Sequence, residues 1–184
     1  MTYWQSDINR PLPMPSESYD CVVSREGIEH PVTPFAFLRE LCRLVKPNGH
    51  LVITTPNIMS MDSRLKFLVG GYFRSFRELR DNHDGLRSLA FQGHISPIYY
   101  WQLLYFLGNA GFEPVRVTMN ALLEESKPLK RLMARWMASV VRKTAQRRGM
   151  FDEMTHADDV LFGDSLIVIA RKVREPRSFH GELF

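Results

Sequence analysis

The sequence predicts an α/β fold built around a parallel sheet, and three neighbouring segments carry that prediction. Residues 20–24 (DCVVS) form a short apolar, β-branched run, which is typical of a strand buried on both faces of such a sheet. Residues 35–45 repeat apolar side chains every three or four positions, which predicts an amphipathic helix. Residues 51–55 (LVITT) predict a second buried strand. A strand, a helix and a strand in this order form a right-handed crossover between parallel strands.

The bounds of the predicted helix place a candidate ligand site at one edge of the sheet. Thr33 suits the N-cap and Pro34 the first helical position. The KPNG sequence at residues 46–49 ends the helix. Residues 24–30 and 54–57 then leave the two strands at the same edge, which is where ligands bind in open α/β sheets.

Size, charge and cysteine content exclude several classes of protein. The 184 residues are enough for one globular core and too few for two, so we expect a single domain. The net charge of +4 permits a phosphate-bearing or membrane-surface partner without requiring one. Cys21 and Cys42 fall within the predicted strand and helix, so we expect two buried, reduced thiols. The sequence shows neither a signal peptide nor an apolar run that could span a bilayer, which favours a soluble, cytoplasmic protein.

Further elements follow along the chain. The pattern predicts a short helix at residues 63–69, a helix at 97–109, a strand at 112–119 and a last buried strand at 165–170. Turns are predicted at Gly70 and Gly71, and again at residues 82–85 (NHDG).

Residues 121–150 contain a basic amphipathic helix. Eight basic residues and no acidic residue lie between positions 127 and 149, and apolar residues recur among them at helical spacing. In the ordinary arrangement the apolar face packs on the domain and the charges are solvated. Alternatively, residues 127–149 contact an anionic membrane surface or a partner protein, with Trp136 at the interface, while nucleic acid is a less favoured partner.

Two stretches resemble a known family. The sequences LPMPSESYDCVVSREGIEH and FLRELCRLVKPNGHLVITTPN, within residues 12–57, closely resemble the central segment of class I S-adenosylmethionine-dependent methyltransferases. The resemblance is to the branch of this family that includes ubiquinone-type and small-RNA 2′-O-methyltransferases. Residues 94–117 resemble the end of the same domain more loosely. The resemblance implies a Rossmann-like methyltransferase fold. It also implies S-adenosyl-L-methionine as cofactor and methyl transfer to an oxygen of a small-molecule or lipid-like acceptor.

The resemblance implies an incomplete version of that fold. A complete domain of the family opens with two βα units, the first of which carries a G-x-G-x-G turn that binds the cofactor, and the glycines of this sequence form no such cluster. We therefore expect a partial methyltransferase domain at residues 1–173, with a substrate-side insertion at 58–96 and a tail at 174–184. The strand at residues 20–24 would then have an unpaired edge. Either the sequence is the later part of a longer enzyme, or it is a non-catalytic binding or scaffold protein.

The resemblance also assigns cofactor contacts. Asp7 would accept a hydrogen bond from the adenine amine, and Ile8 would pack on the adenine ring. Ser24 and Glu26 would lie beside the cofactor at the end of the first strand. From the residues alone, the favoured role of Asp7 is a cap for the turn before Pro11.

The segment that follows the first strand resembles the E-x-x-E-H metal motif of RNA and ubiquinone O-methyltransferases. Glu26, Glu29 and His30 would supply ligands, and His94 would complete the set. Such a group suits Mg²⁺ or Mn²⁺, with Zn²⁺ or Fe²⁺ as alternatives, and the metal would lower the pKa of a substrate hydroxyl. Two other interpretations stay open: Glu29 or His30 orders the loop, or His30 or His94 is the catalytic general base.

Overall fold

The computed structural model describes residues 5–76, 93–121 and 128–176, and within them the strands form one open sheet. The strands are β1 (Tyr19–Arg25), β2 (Val45–Pro56), β3 (Phe112–Met119) and β4 (Ser165–Lys172). Their order across the sheet is β1-β2-β4-β3. β1 and β2 are parallel, whereas β4 runs antiparallel to both β2 and β3. The predicted α/β fold with an open sheet is thus confirmed.

Five helices accompany the sheet in the described part of the chain. They are α1 (Pro34–Leu44), α2 (Met61–Gly70), α3 (Tyr100–Asn109), α4 (Pro128–Arg147) and α5 (Asp158–Phe162). α3 begins at Tyr100 rather than at residue 97, since the Gln102 side chain accepts a hydrogen bond from the Tyr99 amide and so fixes the cap there. None of these helices has the length and apolar character that a membrane span requires. The turn predicted at residues 82–85 and residues 177–184 of the predicted tail lie outside the described residues.

The junction between α1 and β2 differs from the prediction. α1 ends at Leu44, and the KPNG sequence lies inside β2 rather than between the helix and the strand. The pairing jumps from Tyr19 opposite Val45 to Cys21 opposite His50, so four residues of β2 bulge outward. Asn48, with a φ of 64°, makes the sharp turn that this bulge needs.

β1 is less buried than predicted. Val23 is 63% exposed and Cys21 is also exposed, so the prediction of a strand buried on both faces was wrong, as was that of a buried Cys21. The physical reason is that Cys21 and Val23 lie on the opposite face of the sheet from Leu51 and Ile53, which face the main core. β1 also lies at the sheet edge and pairs only with β2 among the described strands. Cys42, by contrast, is buried on α1, and burial raises the pKa of its thiol to about 12.

The main core lies between the sheet, α1 and α3. It contains buried aliphatic side chains from each of these elements: Leu38, Leu41, Leu51, Ile53, Leu103, Leu107, Leu166 and Val168. α4 packs elsewhere, on α2 and α5, through the small side chains of Ala134 and Ala138. Met137 and Val141 pack partly against this contact, but five larger apolar residues of α4, including Trp136, are exposed. The expectation that the whole apolar face of α4 packs on the domain was therefore wrong.

Asn57 ties the end of β2 to α5. Its side-chain amide donates to the carbonyls of Val160 and Gly163, at 2.8 and 3.0 Å. The sequence pattern did not predict α5, because five residues are too few for a helical period to show.

A partly buried ion-pair network joins α2 to the start of β4. The Asp62 carboxylate contacts Lys66 Nζ at 2.7 Å and Arg74 Nη1 at 3.3 Å, and Arg74 Nη2 reaches Asp164 at 3.1 Å. Burial alone would raise the pKa of Asp62, but the bonds from Lys66 and Arg74 outweigh it and hold the pKa below its ordinary value. The network therefore fixes the position of Arg74, which directly precedes Ser75, and the Ser75 carbonyl contacts the His94 ring.

We expect Asp62→Asn to lower the free energy of unfolding by about 2 kcal/mol near neutral pH, since two cations lose their charged partner. The folded-state pKa of Asp62 is depressed, so this stability is present above the ordinary pKa of 3.8 and is lost as pH falls below it. Urea unfolding at about pH 7 and about pH 3 should show a clearly smaller difference at the lower pH. Asp20→Asn, which removes an exposed ion pair to Lys46, is the matched control and should change little. An equal loss at both pH values would contradict the electrostatic role.

Candidate functional site

The loop after β1 folds over the carboxyl ends of β1 and β2. Because the two strands are parallel, Arg25 pairs with Thr54 at the point where both end. The Glu26 amide donates to the carbonyl of Thr54 at 3.1 Å and to its hydroxyl oxygen at 2.9 Å. Glu26 has a φ of 46°, a left-handed conformation that costs energy for a residue with a side chain. The chain turns there, and residues 27–30 lie beside the end of β2.

Glu29 is a fully buried carboxylate with one oxygen unpaired. Thr55 Oγ1 donates to Glu29 Oε2 at 3.2 Å, which links the loop to the carboxyl end of β2. Glu29 Oε1 has no hydrogen-bond partner among the described residues. It lies 4.0 Å from Nε2 of His30 and 4.0 Å from Nε2 of His94. Burial raises the pKa of Glu29, since the charged form is poorly solvated there.

The two histidines share one hydrogen-bonding arrangement. His30 Nδ1 lies 3.1 Å from the Gly93 carbonyl oxygen, and His94 Nδ1 lies 3.0 Å from the Ser75 carbonyl oxygen. A carbonyl only accepts, so each Nδ1 carries the hydrogen, and in a neutral ring Nε2 keeps its lone pair. Burial lowers the pKa of His94, which favours its neutral form.

The segment that carries His94 is fixed to the loop after β1. The amides of Ile95 and Ser96 both donate to the Glu29 carbonyl oxygen at 3.1 Å, and Ser96 Oγ donates to the Pro31 carbonyl at 3.2 Å. Together with the bond between His30 and Gly93, these contacts hold two segments together that are far apart in the sequence. The position of His94 beside Glu29 is therefore set by backbone bonds and not by the imidazole alone.

The cluster fits a divalent metal ion. Three lone-pair atoms, one each from Glu29, His30 and His94, lie within 4.8 Å of one another, and no hydrogen-bond donor lies between them in the described structure. Two imidazole nitrogens and one carboxylate oxygen are the donor set of many catalytic Zn²⁺ sites and of non-haem Fe²⁺ sites. Both Nδ1 atoms donate to carbonyls, as is usual for metal-binding histidines. Mg²⁺ suits the cluster less well, because it prefers oxygen ligands.

The structure brings together three of the four predicted metal ligands. Glu26 lies on the same loop but is not part of the group whose ligand atoms lie within 4.8 Å of one another. Ser24, predicted to lie beside the cofactor, is almost fully buried near the end of β1. Their roles toward the cofactor stay predictions.

Asp7 and Ile8 lie on a turn that contacts the site loop. The Asp7 carboxylate accepts from the amide of Asn9 at 2.9 Å, so its side chain caps this turn. Asn9 Oδ1 in turn accepts from the Val32 amide at 2.9 Å, which brings the turn beside the residues that follow His30. Ile8 is partly buried against the main core. The adenine contacts predicted for Asp7 and Ile8 stay predictions.

The sequence analysis did not single out three residues that shape the cluster. Thr55 could have been found, because it ends the apolar run of β2 at the edge where Glu29 arrives. Ser75 and Gly93 contribute only backbone carbonyls, which no side-chain pattern reveals. Ser75 also has a φ of 68°, a conformation that the sequence gives no reason to expect of serine.

Comparison with known proteins relates this geometry to a family. A family of methyltransferase domains matches residues 4–117. The ubiquinone biosynthesis O-methyltransferase of Vibrio campbellii is 37% identical over 70 residues, which cover 38% of this chain and 29% of that enzyme. The matched region thus spans less than a third of the curated relative.

Solved structures show the same fold. A SAM-dependent methyltransferase of Archaeoglobus fulgidus superposes with a TM-score of 0.52 and 20% identity, over 92% of this chain and 66% of that one. A candidate methyltransferase of Bacillus halodurans gives a TM-score of 0.52 and 18% identity, over 94% and 78% of the two chains. The family match includes β1, α1, β2, α3 and the whole carboxylate and imidazole cluster. Since it covers more than half of the residues, the chain belongs to the methyltransferase domain family, as its resemblance to class I S-adenosylmethionine-dependent methyltransferases predicted.

Proposed function

We propose that this chain is the acceptor-side part of an S-adenosylmethionine-dependent methyltransferase that acts on an oxygen of a small-molecule or lipid-like acceptor. The observation that carries the proposal is the cluster of Glu29, His30 and His94 at the carboxyl edge of the sheet. Its three atoms can take a proton or hold a cation, and methyl transfer to a hydroxyl needs one of these. The Vibrio relative, whose name describes an O-methyltransferase, supports oxygen as the acceptor atom.

The cluster can remove the proton of the acceptor without help from a metal. In the transfer, the acceptor oxygen forms a bond to the methyl carbon as the bond from that carbon to sulfur breaks, and the hydroxyl proton must leave. The Nε2 lone pair of His30 or His94 can accept that proton. Glu29 Oε1, 4.0 Å away from both nitrogens, then stabilises the imidazolium that forms.

The same three side chains would also hold a divalent cation. When bound, the cation supplies Lewis-acid chemistry that lowers the pKa of the acceptor hydroxyl. Glu29 would provide one oxygen, and His30 and His94 one nitrogen each. The carbonyls of Gly93 and Ser75 keep both imidazole rings turned so that Nε2 faces Glu29.

Metal binding can be measured by calorimetric titration of Zn²⁺, Mn²⁺ and Mg²⁺ into the chain. We expect one ion to bind, with Zn²⁺ or Mn²⁺ preferred over Mg²⁺ because two of the three ligands are nitrogen. Glu29→Gln should weaken binding by at least about tenfold and remove the rise in unfolding temperature that the metal produces. His50→Gln changes an exposed histidine on β2 and is the matched control. If wild-type protein binds none of the ions, the cluster acts through proton transfer alone.

Cofactor binding tests the proposal as a whole. We expect S-adenosylhomocysteine to bind a form that carries the upstream reading frame and to bind this chain alone much more weakly, because the sequence lacks a G-x-G-x-G turn. Calorimetric titration of the two forms side by side gives both affinities, and Glu26→Ala in the longer form tests the predicted role of that residue. Failure of both forms to bind would contradict the proposal and favour a binding or scaffold role.

A further inference from the structure

α4 has two faces of different character. Its inner face consists of small and medium side chains, with Ala134 and Ala138 buried against Met61 of α2 and Leu161 of α5. This contact is narrow, and the described residues leave the opposite side of the helix uncovered. With 20 residues, α4 is about 30 Å long, so the uncovered side is an extended surface.

The outer face of α4 carries the larger apolar side chains of the helix. Five of them are exposed, from 43% for Val140 to 69% for Leu129: Leu129, Leu132, Met133, Trp136 and Val140. They recur at three- and four-residue spacing, so they form one continuous row on the helix. Single exposed apolar residues are common, whereas a contiguous row of five marks a surface that contacts another apolar phase. We call this row the outer apolar row.

The cations of α4 lie on two sides of the helix. Arg131 and Arg135 lie on the same side as Arg142 by helical spacing. The guanidinium of Arg142 pairs with Asp158 and donates to the His156 carbonyl, so this side faces the domain. Lys143 and Arg147 instead continue the outer apolar row toward the end of the helix, and the exposed Arg148 follows them.

We propose that α4 docks on an anionic lipid surface, with the outer apolar row entering the boundary between headgroups and acyl chains. The exposed arginines and lysine would contact lipid phosphates, as in helices that lie in the interface plane. Trp136, at the centre of the row, would lie at headgroup level, where its amphipathic ring is stable. This role is independent of the proposed methyl transfer.

Charge and composition favour lipid over the other occupants. A second copy of the chain would bring two sets of Lys143, Arg147 and Arg148 together, and like charges repel across an apolar contact. Nucleic acid would use the cations, but it gives no reason for five exposed apolar residues in a row. An anionic bilayer matches both the charge and the apolar row.

Sedimentation with vesicles tests the proposal. The full chain is mixed with vesicles of phosphatidylglycerol and phosphatidylcholine in equal parts, and with vesicles of phosphatidylcholine alone. We expect binding to the anionic vesicles only, weakened by salt. Trp136→Glu should reduce binding by roughly tenfold or more, and the pair Lys143→Glu and Arg147→Glu by roughly thirtyfold or more.

Two matched controls separate α4 from the rest of the surface. Trp101→Glu changes an exposed tryptophan on α3, and Arg116→Glu changes an exposed arginine on β3, and neither should reduce binding. Circular dichroism and urea unfolding confirm that each variant is folded. Equal losses in the control variants, or no binding of wild-type protein to anionic vesicles, would overturn the proposal. Binding of wild-type protein to single-stranded RNA but not to vesicles would also overturn it. The same holds if wild-type protein does not bind vesicles and forms a dimer that Trp136→Glu dissociates.

Discussion

The parallel pairing of β1 with β2 is the constraint on which the site depends. It places the ends of both strands at one edge, so that Glu29, which follows β1, meets Thr55, which ends β2. A slip of one residue in this pairing would turn Thr55 toward the other face of the sheet and break its bond to the carboxylate. The buried side chains of Leu51 and Ile53 prevent such a slip, because it would move both into solvent. Hydrophobic burial on β2 therefore determines the chemistry at its end.

The site brings several energetic costs close together. Glu29 Oε1 is buried without a hydrogen bond in the described structure, and burying a carboxylate in this way is unfavourable. Glu26 and Ser75 adopt left-handed backbone conformations beside it. The buried side chain of Asn57, at the same sheet edge, has its hydrogen-bonding groups paired, because it makes three hydrogen bonds. The main core between the sheet, α1 and α3 supplies the stability that lets these costs persist.

Local patterns were enough to predict much of the fold and part of the site. β3 has the predicted bounds and α1 begins at the predicted Pro34, because alternation and helical periodicity are properties of short segments. The exposure of Val23 could not be read in this way, since it depends on which face of the sheet the other elements cover. The two apolar faces of α4 were likewise indistinguishable, because the choice of Ala134 over Trp136 for packing is made by α2 and α5. The motif gave Glu29, His30 and His94, but the carbonyls that orient the rings belong to the backbone.

The stretch between Phe76 and Gly93 starts and finishes at the site. Phe76 is buried beside the His94 ring, and the Gly93 carbonyl bonds the His30 ring, so both ends of the stretch are anchored. A substitution at Phe76 or Gly93 would therefore act directly on a histidine ring of the cluster, although neither residue supplies a ligand atom.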